Sequence, residues 1–86
     1  MNIMAATSPA PLAKLEWIEG PQDRPAPGQL GHVMDFLSVG PLHGGQRRDL
    51  WKWQGYRSDR APHGFEGVCR TRADAARAAE TAYFGD

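Results

Sequence analysis

The sequence contains a single cysteine, Cys69, among 86 residues, so no disulfide can form within the chain. Small secreted domains usually depend on disulfides because their cores are small. The first residues also lack the basic stretch and the apolar segment of a secretory signal. Together these features predict a cytoplasmic protein whose fold is stabilised by packing alone.

An excess of charge of either sign is also missing, because ten basic residues balance ten acidic ones. A net charge of zero excludes a strongly basic nucleic-acid coat and an acidic tail protein. No apolar run approaches the ~20 residues that span a bilayer, so no membrane partner is expected. With 41% hydrophobic and 23% charged residues, the composition is that of a globular protein.

The length of the chain suits one domain with one hydrophobic core. Residues 1–11 carry no charged side chain and are rich in Ala, Ser, Thr and Pro. This composition predicts a flexible N-terminal segment. Residues 12–86 are then a single α+β domain. Within it, residues 20–31 hold three prolines and three glycines, which predicts a loop.

Four segments have the alternating pattern of β-strands, and they cover residues 12–19, 32–39, 50–57 and 65–70. The third pattern is the strongest, because Trp51 and Trp53 alternate with Lys52 and Gln54. Gly55 continues the tryptophan face and leaves room there for an aromatic ring.

The segment 32–39 has apolar side chains on both faces, which predicts either a central strand or a bulge that changes the register midway. Asp35 interrupts this apolar pattern, and no role is assigned to it from the sequence.

The C-terminal segment has the features of an α-helix. Thr71 is placed as the N-cap, Asp74 completes a pair like a capping box, and Gly85 is placed to end the helix. Arg77 and Glu80 are predicted to point to solvent. The predicted apolar stripe consists of Ala75, Ala76, Ala79, Ala82 and Tyr83.

Alanine side chains let a helix approach a sheet closely, while tryptophan side chains fill the space from the sheet side. The predicted fold is therefore α+β, with a three- to four-stranded antiparallel sheet and one C-terminal helix packed on one face.

The run Trp51–Tyr56, followed by residues 67–80, resembles the C-terminal part of small β-β-β-α proteins of phages and prophages. The resemblance covers residues 50–84. This size class includes anti-CRISPR inhibitors, which act by binding a host effector complex. The resemblance implies an accessory protein that inhibits a host complex through protein contact, and it transfers no functional residue.

Catalysis and metal binding are not favoured by the sequence. Cys69 lies on the apolar, inward face of its predicted strand, which indicates a core residue rather than a nucleophile. His32, His43 and His63 lack the short spacings of zinc ligands. His43 and His63 meeting at one end of the sheet stays an alternative, with solvated loop histidines preferred. We therefore expect no enzyme, no cofactor and no metal.

Residues 47–72 hold seven basic side chains against three acidic ones. The candidate partner-binding residues in this region are Arg47, Arg48, Lys52, Tyr56, Arg57 and Arg60. Arginine and tyrosine are enriched at the hot spots of protein interfaces. The same side chains also suit a small nucleic-acid-binding module, in which the cations hold phosphates and Tyr56 stacks on a base. An ordinary solvated strand face is the third interpretation.

A net charge of zero favours the protein partner, because affinity for a polyanion depends on counterion release. The sequence therefore predicts a non-enzymatic stoichiometric binding protein, and more narrowly a phage or prophage accessory factor of the anti-CRISPR type. The expected partner is a host protein or nucleoprotein complex. Nucleic acid and a second copy of the chain in a homodimer stay open.

Overall fold

The computed structural model describes residues 13–42 and 50–85. These residues form two antiparallel sheets and one C-terminal helix, which confirms the predicted α+β class. The predicted flexible segment 1–11 lies outside the described residues. The elements are β1 (Trp17–Ile18), β2 (Arg24–Pro25), β3 (Phe36–Pro41), β4 (Trp51–Tyr56), β5 (Gly64–Cys69) and α1 (Arg72–Phe84).

The larger sheet has the order β3-β4-β5, so β4 is its central strand. Residues 36–39 of the predicted strand 32–39 belong to β3, but β3 lies at the edge of this sheet, so the prediction of a central strand is wrong. Residues 32–34 belong to a turn. The Asp35 N–H donates a hydrogen bond of 3.0 Å to the His32 carbonyl and closes this turn. Val33 lies in this turn and is 93% exposed. Val33 is therefore an exposed residue of the turn and does not belong to a second buried face of a strand.

The predicted loop 20–31 contains a short strand. β2 pairs with β1, with Trp17 opposite Pro25. This two-stranded ribbon joins the larger sheet where Asp23 and Val39 exchange two backbone hydrogen bonds of 2.7 and 3.0 Å. Proline is tolerated in β2 because the strand is short and only two residues pair.

The helix begins and ends where the sequence places its caps. The Thr71 hydroxyl accepts a hydrogen bond from the Asp74 N–H at 3.0 Å. At the other end, Gly85 adopts a φ of 83°, which favours glycine, and its N–H donates to the Thr81 carbonyl. The helix packs across all three strands of the larger sheet. The buried apolar core consists of Leu37, Val39, Ala75, Ala76, Ala79 and Tyr83.

The prediction that Glu80 points to solvent is wrong, because its side chain is 3% exposed. The segment that leads into β1 passes over the helix and supplies three N–H donors to this carboxylate. They are the Lys14 N–H at 2.7 Å, the Leu15 N–H at 2.9 Å and the Trp17 indole Nε1–H at 2.7 Å. These donors replace the hydrogen bonds to water that the carboxylate loses on burial.

Glycines on the helix-facing side of β4 and β5 make room for aromatic rings. A Cβ on Gly55 would lie 2.4 Å from Phe65 and 2.5 Å from Leu37. The room predicted at Gly55 is therefore confirmed. A Cβ on Gly67 would lie 2.4 Å from the indole of Trp53. At each of these glycines, the ring of a neighbouring residue occupies the space that a side chain would take.

Candidate functional site

The helix covers one face of the larger sheet, and we call the opposite face the outer face. Leu37, Trp53 and Phe65 lie on the helix side, because all three pack against the core that α1 completes. Side chains alternate along each strand, so the residues between them lie on the other side. The outer face carries Phe36, Ser38, Gly40, Lys52, Gln54, Tyr56, Gly64, Glu66 and Val68.

Three stacked rings form the main apolar feature of the outer face, and we call them the aromatic row. Phe36 and Tyr56 are cross-strand partners, and their ring centroids lie 6.4 Å apart at an interplanar angle of 7°. Tyr56 stacks in turn on His63, with centroids 5.8 Å apart. Phe36 is 47% exposed, so the row presents ring surface to solvent. The pairing of β3 with β4 therefore builds this feature directly.

One corner of the outer face is closed by the loop between β1 and β2. The Ser38 hydroxyl donates to Gln22 Oε1 at 2.5 Å. A Cβ on Gly40 would lie 2.6 Å from the Gln22 amide nitrogen, so the Gln22 side chain rests on this glycine. Among the described residues, the remaining exposed part of the face is the aromatic row together with Gln54 and the ends of β4 and β5.

Two of the predicted site residues lie on the outer face. Lys52 pairs with Glu66 at 3.5 Å, and both side chains are well exposed. Tyr56 is the middle ring of the aromatic row. Arg47 and Arg48 lie outside the described residues.

The other two predicted site residues turn towards the C-terminus of the helix. Arg57 donates to the Tyr83 carbonyl through Nη1 and to Asp59 through Nε at 2.6 Å. Arg60 donates to the Ala82 carbonyl at 2.6 Å. The helix has no basic residue in its last turn, so these arginines supply the positive charge that helix carbonyls favour. The hydrogen bond from Arg57 holds the pKa of Asp59 below its usual value.

Asp35, which has no role assigned from the sequence, is a half-buried anchor beside the aromatic row. Its carboxylate accepts from the Ser58 N–H at 2.9 Å and from the Tyr83 hydroxyl at 2.5 Å. The same hydroxyl accepts from the Gly31 N–H at 2.9 Å. Burial raises the pKa of the Asp35 carboxyl, but the bonds from Tyr83 and Ser58 outweigh it and the pKa lies below its usual value. Asp35 thus connects β3 to the helix.

A cleft of about 460 Å³ opens between the turn that precedes β3 and the β2 region. Phe36, Val33 and Leu30 line it together with Pro27 and His32. Because Phe36 belongs to both features, the cleft continues the aromatic row at one end.

The sequence missed Phe36 and His63 as site residues. The sequence pattern places Phe36 inside a longer strand with two apolar faces and His63 in a loop. The signal that identifies Phe36 is Asp35, because a carboxylate within an apolar run marks the point where the turn ends and the strand begins.

The remaining chemistry-bearing groups form no further site in residues 13–42 and 50–85. Cys69 is half-buried and packs against the cluster of Val39, Ala75 and Ala76. No group of three His, Cys, Asp or Glu side chains in these ranges is placed to hold a metal ion. His43 lies outside the described residues, so its predicted meeting with His63 does too. Within the same ranges, no helix has the length and apolar character needed to span a bilayer.

The fold and the outer face define a small α+β domain in which the helix covers one face of the larger sheet and no described element covers the other. No protein-family model, curated protein or solved structure matches this chain. The function must therefore be inferred from the outer face itself.

Proposed function

We propose that this protein is a non-enzymatic binding protein that contacts a protein partner through its outer face. The observation that supports the proposal is the aromatic row, which lies on a sheet face that no described helix or strand covers. Phe36 of this row is 47% exposed, and Val68 adds a further apolar side chain that is 49% exposed on the same face. Apolar surface collected on one face is typical of interaction sites.

The arrangement of polar groups fits the anatomy of a protein interface. Gln54 lies on β4, two residues before Tyr56 on the same face, and offers both donors and acceptors. Lys52 and Glu66 form an exposed ion pair on the same face, beside Gln54. A hydrophobic centre with a polar rim is the usual pattern of such contacts. The rings are also held by stacking on one another, so ordering them on binding costs little entropy.

Nucleic-acid binding is the second candidate, and the aromatic row is the observation in its favour. Exposed rings on a sheet accept stacked bases. The three predicted site cations that the structure describes, however, are engaged elsewhere. Arg57 and Arg60 donate to helix carbonyls, and Lys52 pairs with Glu66. Phosphate contacts would have to replace these interactions, so the protein partner is preferred.

We further propose that the protein acts in the cytoplasm, as an accessory factor that inhibits a host complex. The cytoplasmic part is supported by the single cysteine, because the fold depends on packing and not on a disulfide. The inhibitory part rests on the resemblance of residues 50–84 to phage and prophage proteins, and it stays a prediction.

Affinity capture tests the binding proposal. The wild-type protein and the variants Phe36→Ser and Ile18→Ser are immobilised separately. Each is incubated with a lysate of the cells in which the protein is naturally made. Ile18 is the matched control, because it is 51% exposed and lies in β1 beside Pro21 and Pro27 in a different hollow. We expect wild type and Ile18→Ser to retain the same protein and Phe36→Ser to lose it. Equal recovery by all three proteins would contradict the proposal.

The salt dependence of oligonucleotide binding tests the second candidate. If the protein holds six or more phosphates, its affinity for single-stranded DNA or RNA falls by orders of magnitude between about 50 and about 200 mM salt. A further variant, Arg47→Glu with Arg48→Glu, tests the predicted contribution of these two arginines. Binding that is steeply salt-dependent and lost in this variant would favour the nucleic-acid module over the protein partner.

A further inference from the structure

The two edges of the larger sheet differ in how they are covered. At the β3 edge, the backbone of Val39 exchanges two hydrogen bonds with Asp23, so the β1–β2 ribbon occupies that edge. At the β5 edge, no described strand pairs with the outward side. The sheet therefore has one covered edge and one open edge.

The backbone groups at the open edge follow from the pairing of β5 with β4. The Arg57 N–H donates to the His63 carbonyl at 2.8 Å, which identifies this pair as hydrogen-bonded. In an antiparallel ladder hydrogen-bonded pairs alternate along the strand. Phe65, Gly67 and Cys69 therefore bond to β4. The residues between them, Gly64, Glu66 and Val68, direct their N–H and carbonyl groups away from the sheet. Among the described residues, these three backbones have no hydrogen-bond partner on that side.

The open edge also lacks the features that usually prevent strands from pairing. β5 is six residues long and contains no proline and no lysine. Its single charged residue, Glu66, points to the outer face and not along the edge. Exposed edges of this length normally carry such protection, because otherwise they pair with another strand.

We propose that β5 pairs with β5 of a second copy of this chain, antiparallel and with the two-fold axis at Gly67. In this register Glu66 of one copy lies opposite Val68 of the other. The two residues exchange two backbone hydrogen bonds through their outward N–H and carbonyl groups. The two-fold axis repeats this pair, so four such bonds form. Gly67 meets Gly67 of the second copy at the axis, where the strands approach most closely and neither residue has a side chain.

The charges select this register over its neighbour. Arg70 follows β5 directly, is exposed and has no ion-pair partner among the described residues. With the axis at Gly67, Arg70 lies diagonally from Glu66 of the second copy, within reach of a long side chain. Two such pairs form by symmetry. With the axis at Glu66 instead, the two Glu66 carboxylates would lie directly opposite each other, which is unfavourable.

The pairing also extends the core on the helix side. Phe65 and Cys69 are both half-buried in one copy, because β5 is the last strand. In the proposed register Phe65 of one copy lies opposite Cys69 of the other. A two-fold axis perpendicular to the sheet places both helices on one side. The two outer faces then form one continuous surface across six strands.

Sedimentation equilibrium from micromolar to millimolar concentrations tests the association. We expect the wild-type protein to reach twice the mass of the chain. Val68→Pro removes an outward N–H that makes no bond to β4, so we expect a folded monomer. Val68→Thr keeps the N–H and a β-branched side chain and is the matched control, so it should stay a dimer.

Disulfide formation tests the register. Glu66→Cys and Val68→Cys are each made in a Cys69→Ser background. Opposite residues of a hydrogen-bonded pair have Cα atoms about 5.5 Å apart, which suits a disulfide. Diagonal residues are about 7–8 Å apart, which does not. We therefore expect oxidation to link the two variants when they are mixed, and neither variant to itself.

Three results would overturn the proposal. A wild-type protein that stays monomeric at every concentration would leave the open edge to a strand of a different protein. A dimer that survives Val68→Pro, or a Glu66→Cys variant that links to itself, would place the contact or the register elsewhere.

Discussion

The indole of Trp17 donates a hydrogen bond of 2.7 Å to the carboxylate of Glu80, which lies 63 residues further along the chain. The same carboxylate accepts the backbone N–H groups of Lys14 and Leu15. One side chain of the helix therefore holds the segment that leads into β1 against the domain. Through that segment it also positions the β1–β2 ribbon that covers the β3 edge.

Replacing Glu80 with alanine should destabilise the protein by about 3 kcal/mol, because three N–H donors lose their acceptor in a part-buried site. Glu80→Gln keeps the shape but presents an NH₂ group to some of these donors, so it should cost a smaller amount. The free energy of unfolding in urea measures both effects. The control is Glu16→Gln at an exposed position, which should change stability by less than about 0.5 kcal/mol. Equal losses at both positions would contradict the role of Glu80.

Tyr83→Phe should destabilise the protein by about 1.5 kcal/mol at neutral pH, because the hydroxyl both donates to Asp35 and accepts from Gly31. The size of this loss should depend on pH. The folded pKa of Asp35 is lowered, so its contribution to stability is complete above the unfolded pKa, near 3.8. It is lost as the pH falls through the lower folded pKa.

The difference in unfolding free energy between wild type and Tyr83→Phe should therefore shrink between about pH 4 and about pH 2. In an Asp35→Asn background the same difference should not change over this range, since the titrating group is gone. At high pH the sign is reversed. Burial, and then Asp35, raise the pKa of Tyr83, so stability from its neutral phenol is complete below pH 10.0 and lost as the pH rises through the folded pKa. A loss that is constant from acid to alkali would contradict this account.

Two glycines of β5 should respond differently to alanine. A Cβ on Gly67 would lie 2.4 Å from the Trp53 ring, whereas a Cβ on Gly64 has no heavy atom nearer than 4.0 Å. Neither residue has a positive φ, so backbone strain does not enter. Gly67→Ala should cost about 2 kcal/mol through displacement of the indole. Gly64→Ala should be neutral or slightly stabilising. Chemical denaturation, with tryptophan fluorescence as the probe, distinguishes the two variants.

The arginines at the helix C-terminus should stabilise the fold. Arg57→Gln and Arg60→Gln each remove a charged donor to the last carbonyls of α1, so the thermal midpoint should fall in both variants. Arg77→Gln is the control, because Arg77 is exposed in the middle of the same helix. The effect should weaken at high salt, since exposed charges are screened. If Arg57→Gln and Arg77→Gln lower the thermal midpoint equally, Arg57 does not cap the helix.

Local patterns were sufficient to predict several elements of this fold. The caps Thr71 and Gly85 act through hydrogen bonds within a few residues, so the sequence contains both partners. The alternation of Trp51 and Trp53 in β4 identifies the buried face for the same reason, and β4 is found within the predicted range.

Features that depend on contacts between distant segments could not be predicted in this way. Glu80 is buried because residues 14–17 cross the helix, and nothing near Glu80 in the sequence indicates that crossing. Arg57 reaches Tyr83 across 26 positions, so the sequence alone could not distinguish a helix cap from a surface cation. Phe36 joins the site only because the register of β3 and β4 places it opposite Tyr56.

Isothermal titration of the captured partner into the protein tests the central claim about the outer face most directly. The account predicts one site per chain, an affinity loss of about 30-fold or more for Tyr56→Ser, and no change for Ile18→Ser. Affinity that is unchanged in Tyr56→Ser, or lost equally in Ile18→Ser, would contradict the assignment of the partner to the aromatic row.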